Sequence, residues 1–470
     1  MVLPAEVVDL IASLRAEIVA LRAEVAELRR RLGLDSSNSS KPPSSDGLGK
    51  KHRSPMSLRG RSGKRSGGQE GHGGGTLRQV ADPDAVVAHE ACACGHCGAA
   101  LDPKAPTRVE RRQVFDIPER MLRVTEHQAS VYRCTRCGGV TKAAFPPGVA
   151  SPAQYGGRIK AAAVYLNVQQ LIPEDRAAQA LSDLFGAPLV CPASVVAWVA
   201  AKARELAQVA AAIGRRVAGE AVRHLDETGY RIAGRLHWLH TTSSLAFTFY
   251  RAGEKRGDVP ADLRGGTVVH DHFAPYRSMD GPDGPLLHAY CNAHILRELQ
   301  GVTEFDKEPW AELMRAALLD ANAAVNAARA AGASALPPKT FAALVERYWE
   351  AVRNGLAFHR KLPKLKRKSP GVGRVKNRPG KNLLERLKAF KAETLRFMTD
   401  FAVPFTNNLA EQDLRMMKVK MKISGCFRTL EGAKIFATLR SVVSTARKQG
   451  YNILQILAAP PNQVWTALTA

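Results

Sequence analysis

The chain has 470 residues, of which 45% are hydrophobic, and its 68 Lys and Arg against 43 Asp and Glu give a formal net charge of +25. This hydrophobic fraction excludes global disorder, and at roughly 100–200 residues per domain the length predicts three or more domains. No apolar run approaches the roughly 18 residues that span a membrane, and no secretory signal is recognised, so we expect a cytoplasmic protein. The charge predicts a polyanionic partner.

Three segments hold nearly all of the excess positive charge: residues 41–80 with a net of +7, residues 360–381 with +10 and residues 411–450 with +6. A single run of this kind is typical of a solvated face or a disordered tail. Three runs in a chain with the composition of a folded protein favour nucleic acid over a membrane surface, because neither of the first two lies on an amphipathic helix with an aromatic face.

Residues 1–34 follow a heptad pattern. Apolar residues occupy its a and d positions: Ile11, Leu14, Ile18, Leu21, Val25, Leu28 and Leu32. Mostly β-branched residues at a with Leu at d favour a parallel dimer, and Glu17 and Glu24 at g precede Arg22 and Arg29 at e. The pattern predicts a coiled coil and self-association; a single helix packed on its own domain is the alternative.

Residues 35–80 are rich in Ser, Pro, Gly and basic residues, which predicts a flexible basic linker. A zinc-binding domain is predicted next, over residues 81–147. Its Val109–Ile117 stretch has the composition of a strand and would form a small β-ribbon.

Two CxxC pairs mark this domain, Cys94 with Cys97 and Cys134 with Cys137. Two such pairs suit tetrahedral zinc bound by four thiolates. Disulfides are the alternative, which an intracellular chain disfavours. Cys92 is a further thiol that could replace Cys94 as a ligand.

Residues 148–215 predict an Ala-rich helical domain. Leu181–Phe185, a turn at Gly186 and Pro188, and Ser194–Val199 have the pattern of a helix, a tight turn and a second helix. A DNA-binding helix-turn-helix and an ordinary helical hairpin share this pattern, so both interpretations stay open.

Beyond residue 219 the sequence changes from a helical pattern to one typical of short strands. Val222–Asp226 and Thr267–Asp271 each end in an acid, and Glu411 lies in a helix that opens near Asn407. Carboxylates that converge at a sheet edge repel one another unless they hold divalent cations such as Mg²⁺. Two such ions would activate a nucleophile and stabilise the leaving oxygen of a phosphodiester. From spacing alone, ordinary surface acids at strand ends remain the alternative.

Several motifs, in one order along nearly the whole chain, resemble those of the IS66 family of bacterial insertion-sequence transposases. They are Asn38–Asp46 (NSSKPPSSD), Gly67–His72 (GGQEGH), the two CxxC pairs, Asp226–Thr228, His270–Asp271 with Tyr276, Cys291–His294, Pro404–Glu411 and Ser424–Arg428.

This resemblance implies a multidomain α+β protein with an RNase H-like α/β core. The core would comprise residues 216–300 and 400–450, separated by a helical basic insertion at 301–399 and followed by a tail at 451–470. The implied catalytic triad is Asp226, Asp271 and Glu411, holding Mg²⁺ or Mn²⁺, with Glu227 as a rival ligand in the first motif.

The implied function is that of a DDE transposase of a bacterial mobile element. It would bind the terminal inverted repeats of an insertion sequence and catalyse metal-dependent cleavage and strand transfer. A non-catalytic zinc-containing DNA-binding regulator, such as a decayed transposase, is the first alternative, and a structure-specific nuclease is the second. Element-encoded accessory proteins are further partners that the family allows.

Basic side chains of the second and third runs are expected to contact DNA phosphates: Lys366, Arg367, Lys368, Arg415, Lys418, Lys420, Lys422 and Arg428. A solvated helix face is the alternative for those that follow Glu411. Cys291 and His294 would either contact substrate or brace a strand-to-helix junction.

Overall fold

The computed structural model describes residues 5–35, 37–39, 77–94, 96–102, 108–116, 122–188, 190–260, 262–363, 377–425 and 427–469. Most of the predicted linker at 35–80 lies outside these residues, as do Lys366, Arg367 and Lys368. Among the described helices, none has the length and hydrophobicity needed to cross a membrane.

The described chain is a mixture of helices and short strands. The helices are α1 Ala5–Gly33, α2 Gly157–Val164, α3 Glu174–Phe185, α4 Pro192–Glu205, α5 Ala207–Ala218, α6 Ala274–Arg277, α7 Asn292–Gly301, α8 Pro309–Ala330, α9 Pro338–Lys361, α10 Pro379–Ala389, α11 Lys391–Thr394, α12 Arg396–Thr399, α13 Asn408–Ser424, α14 Leu430–Lys448, α15 Ile453–Ala458 and α16 Pro461–Thr469, with π-helical segments at Tyr165–Gln169 and Val302–Asp306. The strands are β1 Val131–Arg133, β2 Val140–Lys142, β3 Val222–Ile232, β4 Arg235–Ser243, β5 Thr248–Gly253, β6 Thr267–His270, β7 Asp280–Gly281, β8 Gly284–Pro285 and β9 Leu287–Tyr290.

A five-stranded mixed sheet organises the part of the chain that carries the predicted acids. Its strand order is β5-β4-β3-β6-β9. The first three strands are antiparallel neighbours, whereas β3, β6 and β9 run parallel. Strand β3 is therefore central, with an antiparallel partner on one side and a parallel partner on the other.

Helices α2 to α5 share one hydrophobic cluster with the sheet and with the C-terminal helices. Leu181 of α3, Val195 of α4, Tyr250 of β5, Val442 of α14 and Leu457 of α15 all belong to it. The segment predicted as a separate helical domain, and the predicted C-terminal tail, are thus built into the core. Helix α3 ends where Gly186 adopts φ of +66°, a left-handed conformation that glycine takes without strain.

A second hydrophobic cluster lies between β9 and α13 in sequence. Helices α8, α9 and α10 contribute Trp310, Tyr348 and Leu384, which pack with Leu299 of α7 and Phe405. These helices correspond to the helical insertion expected at 301–399. The insertion has a hydrophobic core of its own and joins the sheet through α7.

Helix α1 is a single helix of 29 residues that ends at Gly33. Its last turn contacts the Val302–Asp306 segment, since Arg30 Nε lies 3.5 Å from Asp306 Oδ1 and Asn38 Nδ2 donates to Glu304 Oε2 at 3.0 Å. The rest of its heptad pattern is exposed, at Leu14, Ile18, Leu21, Val25, Leu28 and Leu32.

Two sequence-based assignments of strands differ from the structure. The expected strand at Val109–Ile117 is not found in its described part, residues 108–116, and the zinc-binding segment instead pairs β1 with β2 around its second CxxC turn. Strand β3 does not end at Asp226 but continues to Ile232, because β4 pairs with it from His224 to Ile232.

Candidate active site

Asp226 lies on β3, and Asp271 directly follows β6, the parallel neighbour of β3. In the pairing of β3 with β6, His224 is opposite Val269. Two residues beyond this pair in each strand direction come Asp226 and Asp271, so the register of the two strands places both acids at the same edge of the sheet. Strand β6 ends at His270, so Asp271 is the first residue beyond it.

Burial and mutual repulsion act on both aspartates. The pKa of Asp226 is raised well above its ordinary value, first by burial and then by the charges of Glu227, Glu411 and Asp271. Burial and the charge of Glu227 raise the pKa of Asp271 to about 6, although the backbone N–H of Phe273 donates to Asp271 Oδ1 at 2.8 Å. The charges of Asp271 and Glu411 therefore act on Asp226, although the oxygens of the three acids do not all lie within 4.8 Å of one another as a set.

Asn407 fixes the start of α13 on the sheet and so places Glu411. Its Nδ2 donates to the Leu225 carbonyl at 2.7 Å, and its Oδ1 lies 2.9 Å from His224 Nδ1, which makes that nitrogen the donor. Its backbone N–H donates to Cys291 Sγ at 3.2 Å. Helix α13 begins at the next residue, which puts Glu411 in the first turn.

Glu227, the rival ligand of the first motif, is already hydrogen-bonded at both carboxylate oxygens. Oε1 accepts from Arg256 Nε at 2.7 Å, and Oε2 accepts from the Tyr276 hydroxyl at 2.5 Å. Arg256 also lies 4.1 Å from the centroid of the Phe273 ring. These contacts favour Asp226 over Glu227 as the metal ligand.

The chemistry of this donor set suits a hard divalent cation. Burial, and after it repulsion by neighbouring carboxylates, raises the pKa values of Asp226 and Asp271, and Glu411 Oε1 is buried without a hydrogen-bond partner in the structure. A divalent cation would relieve the repulsion and satisfy that oxygen, and Mg²⁺ and Mn²⁺ prefer oxygen ligands.

The other neighbours of Glu411 come from α7 and the residue before it. His294 Nδ1 lies 3.9 Å and Arg297 Nη2 lies 3.8 Å from Glu411 Oε1. Burial lowers the pKa of His294 to about 3, so its imidazole is neutral at pH 7. Cys291 is buried at the junction of β9 and α7, where it accepts the Asn407 bond, as a bracing residue would.

Three of the predicted DNA-contacting residues lie on the same face of α13 as Glu411. Arg415, Lys418 and Lys422 follow it at spacings of four, three and four, which is one face of a helix. Lys420 lies off this face, and its Nζ is 5.2 Å and 5.5 Å from the centroids of the Phe427 and Phe436 rings. Arg428 is exposed beyond the end of the helix.

Sequence reasoning did not identify Asn407 and Arg256 as parts of this site. Asn407 was visible in the Pro404–Glu411 motif, but the sequence cannot tell which of Asn407 and Asn408 turns inward. Arg256 lies 29 positions after Glu227, in a loop beyond β5, and no local pattern links the two.

The two CxxC pairs form similar turns. Gly98 N–H donates to the Cys94 carbonyl and Gly138 N–H to the Cys134 carbonyl, each at 2.9 Å. Hydrogen bonds from N–H groups of these turns lower the pKa of both Cys94 and Cys134, which favours the metal-binding thiolate. Among the described residues, the sulfurs of the two pairs do not lie within 4.8 Å of one another as one set.

Comparison with known families adds to this geometry. Residues 152–435 match the family model described as Transposase IS66 family, and residues 91–138 match the zinc-finger binding domain of transposase IS66. Residues 2–78 match a family of unknown function. A search of curated proteins returned no match. The first match covers more than half of the chain and includes all three acids, and the second includes all four cysteines of the CxxC pairs.

Proposed function

The chain belongs to the IS66 family of transposases, and we propose that it cuts DNA at the ends of an insertion sequence and joins those ends to target DNA. The observation that carries the proposal is the convergence of Asp226, Asp271 and Glu411 from two parallel strands and a helix. The catalytic residues would be these three, with Mg²⁺ or Mn²⁺ as the cofactor.

An RNase H-like core is part of this proposal. Its support is the order of the mixed sheet, in which three antiparallel strands are followed by two parallel ones on the other side of β3. The helical insertion between α7 and α13 interrupts this core in sequence, and α13 then delivers the third acid to the sheet.

The same residues would serve two successive reactions. In the first, water displaces an oxygen at the phosphorus of the element's end and leaves a 3′-hydroxyl. In the second, that hydroxyl displaces an oxygen at a target phosphorus. Two divalent cations, when bound, would lower the pKa of the attacking hydroxyl and offset charge on the phosphate. The register of β3 and β6 sets the separation of Asp226 and Asp271, and Asn407 sets the position of Glu411.

The basic residues would hold the DNA backbone beside the acids. Arg415, Lys418 and Lys422 extend along α13 from Glu411, so a strand whose phosphate reaches the acids would pass over them. Phosphate contacts position DNA but carry no base information. We therefore assign recognition of the terminal repeats to other parts of the chain, including the zinc-finger domain at 91–138.

Two further features belong to the proposal. Cys94, Cys97, Cys134 and Cys137 would bind one structural Zn²⁺, which requires that the two turns approach each other.

The exposed heptad positions of α1 would pair with those of a second copy, giving a homodimer or a higher oligomer. A DNA substrate would place the protein at the bacterial nucleoid, with element-encoded accessory proteins as additional partners.

A cleavage assay tests the proposal. Purified full-length protein is incubated with labelled duplexes that carry the element's terminal inverted repeats, in Mg²⁺ or Mn²⁺. We expect cut ends and joined products. Asp226→Ala, Asp271→Ala and Glu411→Ala each remove several kcal/mol of transition-state stabilisation and so lower cleavage by roughly 10³-fold or more, with end binding retained. Asp283→Ala, at an exposed acid of the β7–β8 turn, is the matched control.

Two outcomes would contradict it. Binding of the ends without cleavage in either metal would indicate a regulator. Cleavage of branched DNA with no preference for the ends and no joined product would indicate a nuclease.

A further inference from the structure

A second set of metal-ligand atoms meets at Glu411. The sulfur of Cys291, a ring nitrogen of His294 and a carboxylate oxygen of Glu411 all lie within 4.8 Å of one another, and among the described residues this is the one trio of its kind. His294 Nδ1 and Glu411 Oε1 are both buried without a hydrogen-bond partner in the structure. Buried polar atoms that lack partners are costly, and such atoms call for a ligand.

We propose that Cys291, His294 and Glu411 form a binding site for a borderline-soft divalent cation, with Zn²⁺ as the best fit. A thiolate, an imidazole and a carboxylate are all zinc ligands, and sites with three protein ligands leave a fourth position open. The sulfur distinguishes this site from the all-oxygen site of the three acids, because thiolates select softer ions than Mg²⁺.

The scaffold needs little rearrangement to bind such an ion. Zinc bonds of about 2.0–2.3 Å in a tetrahedron separate the ligand atoms by about 3.3–3.8 Å, and His294 Nδ1 is already 3.9 Å from Glu411 Oε1. Cys291 and His294 are three residues apart across the start of α7. The Asn407 N–H that donates to Cys291 Sγ at 3.2 Å is the kind of hydrogen bond that supports a metal-bound thiolate.

Binding is accompanied by a change of charge. The Cys291 thiol loses its proton to solvent as the sulfur–metal bond forms, so occupancy rises with pH. Arg297, with Nη2 at 3.8 Å from Glu411 Oε1, and Lys418, whose charge acts on His294, both oppose an incoming cation. The site is therefore weaker than a four-thiolate zinc site.

The position of the site gives it a regulatory consequence, which rests on the proposed function. Glu411 belongs to both donor sets, and a soft ion that takes its carboxylate withdraws it from Asp226 and Asp271. Zn²⁺ would then inhibit strand cleavage in competition with Mg²⁺.

Cobalt binding tests the site independently of any activity. Co²⁺ replaces Zn²⁺, and its bonds to thiolates absorb in the near ultraviolet. The background is the full-length chain in which Cys94, Cys97, Cys134 and Cys137 are all serine. We expect one Co²⁺ per chain with a thiolate band that Zn²⁺ abolishes, loss of the band in Cys291→Ser, and at least about tenfold weaker binding in His294→Ala, a loss of about 1.4 kcal/mol. Cys191→Ser, at an exposed thiol, is the control that keeps the band.

If the four-serine background fails to fold, the comparison is made between the wild-type chain and its Cys291→Ser variant, which is expected to bind one Co²⁺ fewer. The proposal is overturned if the four-serine chain shows no thiolate band with Co²⁺, or if the wild-type chain and Cys291→Ser bind the same amount of Co²⁺. Because neither measurement uses DNA, a protein that binds Co²⁺ here but does not cut DNA contradicts the proposed function and leaves this site standing.

Discussion

At the scale of single residues, hydrogen bonds distinguish the two adjacent acids of the first motif, because Arg256 and Tyr276 engage both carboxylate oxygens of Glu227. Asp226, Asp271 and Glu411 follow from their resemblance to family motifs, and the structure brings their charges together. The hydrogen bonds of Glu227 with Arg256 and Tyr276 could not be predicted, because they join residues 29 and 49 positions apart. Only tertiary structure decides which of two adjacent acids is engaged by such partners.

Asp271 is expected to cost stability when it is ionised. Its folded pKa of about 6 lies above its ordinary value of 3.8. A raised pKa means that this residue's stabilising contribution is present below pH 3.8 and lost as pH rises through 6. At pH 7.5 without divalent cations, Asp271→Asn should therefore raise the free energy of unfolding, by about 1 kcal/mol, while cleavage is lost.

Denaturant unfolding of the wild-type chain and Asp271→Asn at pH 7.5 and pH 4.5 checks this expectation. The gain in the free energy of unfolding from Asp271→Asn should be smaller at pH 4.5, where the wild-type carboxyl is protonated. Mg²⁺ should stabilise the wild type but not the variant. Equal gains at both pH values would refute the assigned role of charge. Asp283→Asn serves as the control.

At the scale of elements, register and helix start determine the site. The sequence predicted β3, β6 and the helix that carries Glu411, because their apolar patterns and flanking residues are local. It ended β3 too early, since the continuation to Ile232 depends on pairing with β4. It also predicted a strand at Val109–Ile117 from composition alone, and residues 108–116 pair with no other strand in the described chain.

Asn407→Ala should disturb the active site through α13. The substitution leaves the Leu225 carbonyl and His224 Nδ1 without their partner, at a cost of about 1–3 kcal/mol for each group left unpaired. A displacement of α13 by about 1 Å could lower cleavage by on the order of 10²-fold. Stability and cleavage rate are measured together. Asn408→Ala, at the exposed neighbour, should match the wild type, and an equal loss in both variants would contradict this role for Asn407.

The zinc-finger segment should hold one Zn²⁺ per chain through its four turn cysteines. Elemental analysis of protein dialysed to remove weakly bound metal should give about one equivalent, because the proposed site at Glu411 is weaker than a four-thiolate site. Cys94→Ser should lose zinc, whereas Cys92→Ser should keep it, because the turn that lowers the pKa of the thiol is formed at Cys94. Protein without zinc, or zinc lost only in the Cys92 variant, would contradict the assignment.

At the scale of the whole molecule, the structure joins segments that the sequence separates. The helices predicted as an independent domain share a hydrophobic cluster with the sheet, and the last turn of α1 contacts the start of the insertion. Periodicity reveals which residues of a helix are apolar but not which distant element covers them. The concentration of charge, in contrast, was readable from composition, and its third run lies on helices beside the acids.

The exposed apolar residues of α1 should mediate self-association. Leu14→Lys with Leu21→Lys places charges at two d positions and leaves the contacts of Arg30 and Asn38 with the insertion unchanged. Sedimentation velocity should show a dimer or larger oligomer for the wild type and a monomer for this variant. Val19→Lys, on another face of the same helix, should sediment like the wild type. A monomeric wild type, or a double variant that still associates, would exclude the coiled coil.

If Asp226 is a metal ligand for strand cleavage, exchange of its carboxylate oxygen for sulfur should change which metal supports the reaction. Mg²⁺ disfavours sulfur ligands, whereas Mn²⁺ tolerates them better. Cleavage of a labelled terminal-repeat duplex by Asp226→Cys should be lost in Mg²⁺ and recovered at least in part in Mn²⁺, and Glu227→Cys should show no such selective recovery. Recovery in Mn²⁺ for Glu227→Cys but not for Asp226→Cys, or full activity of Asp226→Cys in Mg²⁺, would contradict the account.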